Sequence, residues 1–281
     1  MNGTVPEDRR QAVALTIAGS DSGGNAGIQA DLRTFHGFGV HGCTAIAALT
    51  AQNPLGVTGI LTADADFLGK QLDAIFACYT VGAIKTGMLA NAELMEAVAV
   101  RLAARSAIPV VVDPVMVATS GARLLEDCAV ETLKMRLAPR AALLTPNRPE
   151  AEVLLGRRIA DRPEAIVAAR ELAARYGCAI LLKGGHDSAH RGEDLLCLGD
   201  GVMAFSTPVV ADPLSTHGTG CTLSAAIAAS LARGRGLEEA VTEGKAYVYE
   251  AIRTGRVVGP FAAVLGMPAR LPVEAVRREV L

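Results

Sequence analysis

The sequence Ser215-Thr216-His217-Gly218-Thr219-Gly220-Cys221-Thr222-Leu223-Ser224 leads directly into an apolar run that ends at Leu231. Two glycines separated by one residue allow a tight turn, and the apolar run predicts a buried helix. Several N–H groups at that helix N-terminus would then be available to bind an anion. Cys221 lies in this turn, where the helix dipole would favour a thiolate. The alternative is a loop that caps a core helix around an unreactive cysteine.

Apolar runs alternate with helical periodicity on both sides of this stretch. Helix patterns begin near Ile28, Phe67, Leu94, Leu124 and Ile166, and residues 222–233 and 237–253 predict two more helices. Buried strands are predicted at residues 12–18, 44–50, 81–85, 109–112, 141–144 and 179–182, and a hairpin at an edge of the sheet is predicted at 195–205. This order predicts an α/β protein with a mainly parallel central sheet flanked by helices.

Length and composition limit the class of protein. The chain has 281 residues, of which 51% are apolar and 20% charged, and its net charge is −2. We expect one domain over residues 12–267, between a polar extension (1–11) and a short tail (268–281). The charge balance disfavours nucleic acid, and no apolar run reaches the roughly 18 residues of a membrane span. The six cysteines form no CxxC pair, which favours a cytoplasmic protein with reduced thiols.

Polar residues stand at the C-terminal ends of the predicted strands, where open α/β sheets bind ligands. Asp113 and Glu150 follow successive strands, and Mg²⁺ prefers such carboxylates together with waters and phosphates. Glu150 is alternatively a first-turn helix acid. Lys183 would direct a charge at phosphate oxygens or pair with an acid. Asp21 and Asn147 also occur at this edge and are alternatively turn or cap residues.

Several familiar catalytic motifs are absent from the sequence. There is no GxGxxG and no GxxxxGK[ST], which argues against a nicotinamide dehydrogenase and a P-loop protein. The five histidines lack metal-ligand spacing, and no GxSxG is present, which argues against zinc and hydrolase chemistry.

The motifs taken together resemble a known family. The matching segments are residues 14–24, 26–32, 85–89, 113–116, 145–147, 182–186 and 216–226. In this order they resemble the hydroxymethylpyrimidine/phosphomethylpyrimidine kinases of thiamine biosynthesis, which belong to the ribokinase-like superfamily. The resemblance runs from about residue 14 to residue 260. Asn25 departs from it, since it stands where relatives usually have glycine, and residues 258–261 lack the glycine and histidine pattern of relatives.

The resemblance implies a ribokinase-like three-layer α/β/α fold and a kinase that uses ATP and Mg²⁺. It implies phosphorylation of 4-amino-5-hydroxymethyl-2-methylpyrimidine, then of its monophosphate to the diphosphate, by a homodimer. The implied substrate-binding residues are Gly19, Asp21, Gln52, Met88 and Val115. The implied catalytic residues are Gly218, Thr219, Gly220 and Cys221, with Cys221 as the base. The implied nucleotide and metal residues are Asp113, Asn147, Glu150, Lys183, Thr219 and Lys245. From its apolar surroundings alone, Lys245 is more typical of a surface lysine that reaches solvent.

There are two alternatives to this function: a kinase with a different substrate and a protein of a different class. A pyridoxal kinase of the same branch also phosphorylates a flat heteroaromatic alcohol. By resemblance to the family, relatives specialised for pyridoxal carry Met-Asp-Pro where this chain has Gln52-Asn53-Pro54. An amide both donates and accepts hydrogen bonds, so Gln52 favours an aminopyrimidine. A non-catalytic ligand-binding protein is the second alternative, and it would not require Gly218, Gly220 and the two acids.

Overall fold

The computed structural model describes residues 10–116, 127–184 and 191–281. The strands in these residues are β1 (Val13–Asp21), β2 (His41–Asn53), β3 (Gly56–Thr62), β4 (Ala83–Thr86), β5 (Val110–Val112), β6 (Leu143–Leu144), β7 (Ala179–Lys183), β8 (Glu193–Leu198), β9 (Gly201–Ser206), β10 (Arg256–Gly259), β11 (Ala262–Val264) and β12 (Arg277–Val280). The α-helices are α1 (Gly27–Gly37), α2 (Ala65–Cys78), α3 (Ala92–Ala103), α4 (Asp127–Thr132), α5 (Arg148–Leu155), α6 (Arg162–Tyr176), α7 (Thr219–Ala232) and α8 (Leu237–Arg253).

A mainly parallel sheet forms the centre of the protein, as predicted. Over the described residues its strand order is β12-β9-β8-β7-β6-β5-β4-β1-β2-β3. The strands from β2 through β1, β4, β5 and β6 to β7 pair in parallel. Antiparallel strands complete both edges, with β3 at one and β8, β9 and β12 at the other. The C-terminal ends of the parallel strands therefore share one edge of the sheet.

Helices cover both faces of this sheet, which confirms the predicted three layers. Successive residues of a strand point to opposite faces, so Leu15 and Ile17 of β1 contribute to one core and Ala14 contributes to the other. The first core contains buried residues of α2 to α6, such as Leu68. The second contains residues of α1, α7 and α8, such as Phe35. Apolar burial on both faces explains why the central strands appear in the sequence as short apolar runs.

Some elements differ from the sequence prediction. β3, β12 and the β10–β11 hairpin were not predicted, since they are edge or surface strands without a buried, alternating pattern. β12 lies in the predicted tail, so the end of the chain joins the main sheet by pairing with β9. α7 begins at Thr219, three residues before the predicted start.

The predicted domain boundaries stay a prediction. Residues 1–9 of the predicted extension and the start of the helix predicted from Leu124 lie outside the described residues. Among the helices that the structure describes, none has both the length and the apolar character needed to cross a membrane.

Candidate active site

A cavity of about 770 Å³ lies at the C-terminal edge of the parallel strands. The loop after β1 forms one side of it, and the Asp21 carboxylate organises that loop. Its oxygens accept hydrogen bonds from the N–H groups of Gly23 at 2.8 Å, Asn25 at 2.9 Å and Ala26 at 2.8 Å. Burial opposes ionisation, but the His217 side chain and these three N–H groups outweigh it and lower the pKa of Asp21. Asp21 therefore has the loop-forming role that we gave as an alternative, and it also lines the cavity.

The N-terminal turn of α7 lies against this loop and also lines the cavity. Gly218 precedes the helix with a φ of +85°, and a Cβ at this position would collide with the Asn25 carbonyl oxygen. Only glycine fits there, because the left-handed conformation and the close approach both exclude a side chain. The N–H groups of Gly220 and Cys221 lie in the first turn, so no helical carbonyl is available to them. The start of α7 therefore presents two backbone donors where the anion site is predicted, and anion binding there stays a prediction.

Charged side chains face this helix turn. The Lys183 Nζ lies 2.8 Å from the Asp113 Oδ1 and 4.0 Å from the Glu150 Oε2. A Cβ built on Gly220 would lie 3.5 Å from the Lys183 Nζ, which places the ammonium over the turn. Ser224, in the second turn of α7, donates a hydrogen bond to the Asp113 Oδ2 at 3.2 Å. The structure thus brings together the two acids and the lysine that the sequence identified.

The proximity of these groups shifts their pKa values. Burial favours neutral Asp113, but Lys183 and Lys85 outweigh it and lower the pKa of this carboxyl. Burial, aided by the Asp113 charge, raises the pKa of Glu150 to about 7. Burial disfavours the Lys183 ammonium, yet Asp113 and Glu150 raise its pKa. Asp113 and Lys183 therefore form a buried ion pair, and Glu150 is poised between its two protonation states.

The carboxylates fit a magnesium ion that arrives with a nucleotide. The described residues hold no group of three His, Cys, Asp or Glu side chains that would enclose a metal. Mg²⁺ usually keeps several waters and takes one or two carboxylates together with phosphate oxygens. Asp113 and Glu150 provide two such groups on either side of Lys183.

Asn147 and Glu150 also cap α5. The Asn147 Oδ1 accepts a hydrogen bond from the Glu150 N–H at 2.9 Å, and the Glu150 Oε2 accepts one from the Asn147 N–H at 2.8 Å. This reciprocal capping box satisfies two backbone donors at the start of the helix. The helix-acid interpretation of Glu150 is therefore confirmed, and the cap fixes its carboxylate at the cavity wall, whereas magnesium binding by Glu150 stays a prediction.

The five predicted substrate residues all line this same cavity, which brings together Gly19, Asp21, Gln52, Met88 and Val115. A Cβ on Gly19 would lie 2.6 Å from the Met88 Cε, so the glycine lets Met88 pack flat against the end of β1. The Thr50 hydroxyl shares its proton between the Ser20 carbonyl oxygen at 2.9 Å and the Gln52 Oε1 at 3.1 Å. This contact orients the amide and leaves its NH₂ group as a donor for a ligand.

Lys245 and Thr219 also line the cavity, but other groups of the protein hold both side chains. The Lys245 Nζ lies 2.8 Å from the Gly192 carbonyl oxygen and 2.9 Å from the Asp194 Oδ2. Lys245 is therefore a buried, paired lysine, and the interpretation as a solvent-reaching side chain is wrong. The Thr219 hydroxyl donates to the Thr216 carbonyl oxygen at 2.9 Å, which closes the turn before α7.

Cys221 lies in the first turn of α7 as expected, but its ionisation differs from the prediction. We expected the helix N-terminus to lower its pKa. Burial instead raises the pKa of the thiol to about 11, although Lys85 and the Gly27 N–H favour the thiolate. Desolvation of the sulfur outweighs the neighbouring positive groups. Cys221 is therefore a thiol near neutral pH in the unliganded protein.

The sequence placed Lys85 at the ligand-binding edge of the sheet, but neither Lys85 nor Asp31 was assigned a role there. Lys85 lines the cavity and forms a fully buried ion pair with Asp31 of α1 at 2.8 Å. The sequence feature that could have indicated the role of Lys85 is the position of a lysine at the end of an apolar strand. Its partner was not predictable, because Asp31 lies 54 residues earlier in the chain.

Comparison with known proteins identifies the family of this chain. The family model described as phosphomethylpyrimidine kinase matches residues 21–264. A hydroxymethylpyrimidine/phosphomethylpyrimidine kinase from Salmonella typhimurium is 44% identical over 254 residues, which cover 88% of this chain and 95% of the relative. The crystal structure of a phosphomethylpyrimidine kinase from Clostridium difficile is 37% identical with a TM-score of 0.77, covering 86% of this chain and 100% of that chain.

A pyridoxal kinase is also similar. The enzyme from Staphylococcus aureus, solved in complex with AMP-PCP and pyridoxal, is 30% identical with a TM-score of 0.84 and covers 97% of this chain and 99% of its own. These likenesses confirm the expected ribokinase-like fold. Because the family model spans most of the chain and the Salmonella relative is matched over nearly its full length, this chain belongs to the phosphomethylpyrimidine kinase family.

Proposed function

We propose that this chain is a kinase that transfers the γ-phosphoryl group of ATP to 4-amino-5-hydroxymethyl-2-methylpyrimidine and then to its monophosphate, in thiamine biosynthesis. One observation carries the proposal. A single cavity joins the predicted pyrimidine residues, around Gln52 and Met88, to the N-terminal turn of α7 and to the Asp113–Lys183 pair. A site for a flat polar ring thus adjoins a site for a phosphoryl group, and a transferase needs both.

The roles of the residues follow from their positions. The N–H groups of Gly220 and Cys221 would bind the migrating phosphoryl group, whose charge lies on its outer oxygens. Lys183 would neutralise phosphate oxygens of ATP, and Asn147, Thr219 and Lys245 would form the wall of the nucleotide site. Asp113 and Glu150 would hold Mg²⁺, directly or through water. When bound, Mg²⁺ neutralises phosphate charge and orients the nucleotide.

Cys221 would accept the proton of the substrate hydroxyl as its oxygen bonds to phosphorus. Since the pKa of the thiol is about 11, only a small thiolate fraction exists near neutral pH. Loose phosphoryl transfer needs little help from a base, so the anion site carries most of the catalysis. The contribution of Cys221 should therefore grow with pH.

The specificity proposal rests on Gln52. An amide matches both the ring nitrogen and the exocyclic amino group of an aminopyrimidine. Pyridoxal lacks that pair of groups, so an aminopyrimidine is the better partner for Gln52. Pyridoxal phosphorylation remains the second candidate function, because a pyridoxal kinase is similar to this chain over 97% of its length.

The direct test is the mass of the product. The protein is incubated with ATP, Mg²⁺ and one acceptor at a time: the hydroxymethylpyrimidine, its monophosphate or pyridoxal. We expect the pyrimidine to gain two phosphoryl groups in succession and pyridoxal to react more slowly. A Gly218→Ala variant is the inactive control, since an added methyl group would collide with the Asn25 carbonyl oxygen. Absence of phosphorylated pyrimidine with the unaltered protein would refute the proposal.

Replacing Gln52 by Met should shift specificity towards pyridoxal. The variant leaves polar groups of the bound pyrimidine unpaired, which costs about 1–3 kcal/mol. The measurement is the ratio of kcat/KM for the pyrimidine to kcat/KM for pyridoxal. Leu55→Met, an exposed change in the neighbouring turn, should leave this ratio unchanged. An unaltered ratio in the Gln52 variant would show that another residue reads the substrate.

Neutralising the proposed magnesium ligands should raise the Mg²⁺ requirement. In Asp113→Asn or Glu150→Gln we expect a loss of about 10- to 100-fold in apparent Mg²⁺ affinity or kcat, because an orienting charge is lost. Mg²⁺ titrations of turnover at saturating ATP measure this effect. Glu171→Gln removes an acid of α6 that pairs with Arg157 and Arg175, and it serves as the control. Unchanged Mg²⁺ dependence in both site variants would contradict the assignment.

The base assignment predicts a dependence on pH. Below a pKa of about 11 the thiolate fraction grows with pH. Once the thiolate contributes more than the anion site alone, kcat should rise by up to about tenfold per pH unit while chemistry limits turnover. Cys221→Ala should lower kcat by about 100-fold or more at high pH and flatten the profile. Cys221→Asp should restore part of the activity near neutral pH. A wild-type profile that stays flat, or nearly normal turnover in the alanine variant, would leave the anion site as the catalytic element.

We also propose a homodimer in the cytoplasm. The edge strand β3 exposes large apolar side chains, including Ile60 and Leu61, and an uncovered edge of this kind promotes association. Leu61→Asp should convert a dimer to a monomer in sedimentation velocity runs, whereas Val280→Asp at the opposite edge should not. A monomeric wild-type protein at micromolar concentration would contradict the dimer.

The cytoplasmic location rests on the cysteine pattern and is tested by fractionating the cells that make the protein.

A further inference from the structure

A fully buried cluster of polar side chains lies beneath the candidate site. Lys85 of β4 is paired in register with Thr16 of β1, so both side chains point to the face that α1 covers. The Asp31 Oδ2 lies 2.8 Å from the Lys85 Nζ and accepts a hydrogen bond from the Thr16 hydroxyl at 2.6 Å. All three residues are 0% exposed. The ammonium is thus fixed in position by two neighbouring elements of the fold.

Stability alone does not account for this ion pair. Removing two charges from water costs several kcal/mol per ion, and apolar residues of similar volume often stabilise a core as well or better. The Asp31 Oδ1 is also buried without a hydrogen-bond partner among the described residues. An incompletely satisfied buried carboxylate is costly, so the pair is better explained by what the lysine does at the cavity.

The position of Lys85 links it to the start of α7. Lys85 lines the same cavity as Cys221, and a Cβ on Gly87 would lie 2.8 Å from its Nζ, so the glycine leaves room for the ammonium. The ammonium is the strongest of the influences that oppose the effect of burial on the thiol pKa of Cys221. The other groups that act on the sulfur are the carboxylates of Asp31 and Asp113, the Lys183 ammonium and the Gly27 N–H.

We propose that Lys85 is a positioning residue for phosphoryl transfer: held by Asp31 and Thr16, its ammonium favours negative charge on Cys221 at the first turn of α7. In the step that it assists, the hydroxyl proton of the substrate passes to the sulfur and the substrate oxygen bonds to the γ-phosphorus. The bond between that phosphorus and the bridging oxygen breaks, and ADP leaves with the electron pair. This inference rests on the proposed kinase function and adds a residue that does not touch the reacting atoms.

The test removes both charges of the pair so that neither is left buried alone. In the variant Asp31→Asn/Lys85→Met, the rate at which iodoacetamide alkylates Cys221 is followed by peptide mass spectrometry between pH 7 and 10. We expect alkylation to be about threefold slower at each pH, because the Lys85 ammonium acts on the sulfur more strongly than the Asp31 carboxylate that is removed with it, so the net loss is of positive charge. Exposed Cys78 is the internal reference and should react as in the wild type. Arg157→Met/Glu171→Gln removes a surface pair and should leave Cys221 unaffected.

Turnover provides the second readout. In the same variant kcat at about pH 10, where the thiolate contributes, should fall about threefold with the ATP KM unchanged, since Lys85 acts on the sulfur. Thermal unfolding checks that the variant is folded. If the variant does not fold, Asp31→Leu/Lys85→Met is used in its place, with the same expected results. Unchanged alkylation of Cys221, or unchanged kcat, would overturn the inference. Alkylation of Cys221 needs no substrate, so it can be measured whether or not the protein is a kinase. Absence of kinase activity in the wild-type protein would refute the proposed function, and the alkylation rates would still test the effect of Lys85 on Cys221.

Discussion

The candidate site depends on the close approach of Gly218 to the carbonyl oxygen of Asn25. This contact places the start of α7 against the loop that follows β1, and it is possible only because residue 218 has no side chain. Asp21 fixes the other partner of the contact by accepting three N–H groups of the loop. Two rigid backbone segments therefore meet around one cavity. The free N–H groups of α7 are held in position before any ligand arrives, which is the arrangement that electrostatic catalysis requires.

Alternating charges extend this arrangement beneath the cavity. Asp31 pairs with Lys85, Asp113 pairs with Lys183, and groups of both pairs act on the ionisation of Cys221. Charges interact strongly where water is excluded, so each buried group sets the ionisation of the next. The raised pKa of Cys221 shows that desolvation dominates in the unliganded protein. The site is therefore built from fixed charges and helix N–H groups. Burial raises the pKa of its one cysteine, so this thiol ionises only at high pH.

Much of this architecture could be predicted from the sequence, and the parts that could not have physical reasons. The central strands were predictable because each is a short apolar run that is recognisable in the sequence itself, as at Val110–Val112. β12 contains Arg277, Arg278 and Glu279, and it exists because β9 offers unpaired backbone groups rather than because of its own pattern. The glycine turn at the start of α7 was predictable because its glycines and helix are contiguous in the sequence. The partners of Lys85 and Lys245 are distant in the sequence, so neither ion pair left a local signal.

We infer that the first turn of α7 binds the phosphoryl group during transfer. A crystal structure of the protein with ADP, Mg²⁺, aluminium fluoride and the hydroxymethylpyrimidine tests this most directly, since planar aluminium fluoride imitates the migrating group. The account predicts fluorine atoms about 3 Å from the N–H groups of Gly220 and Cys221, with the hydroxymethyl oxygen on the side opposite ADP. Aluminium fluoride bound away from this turn, for example beside the Asn147–Glu150 cap alone, would contradict the account.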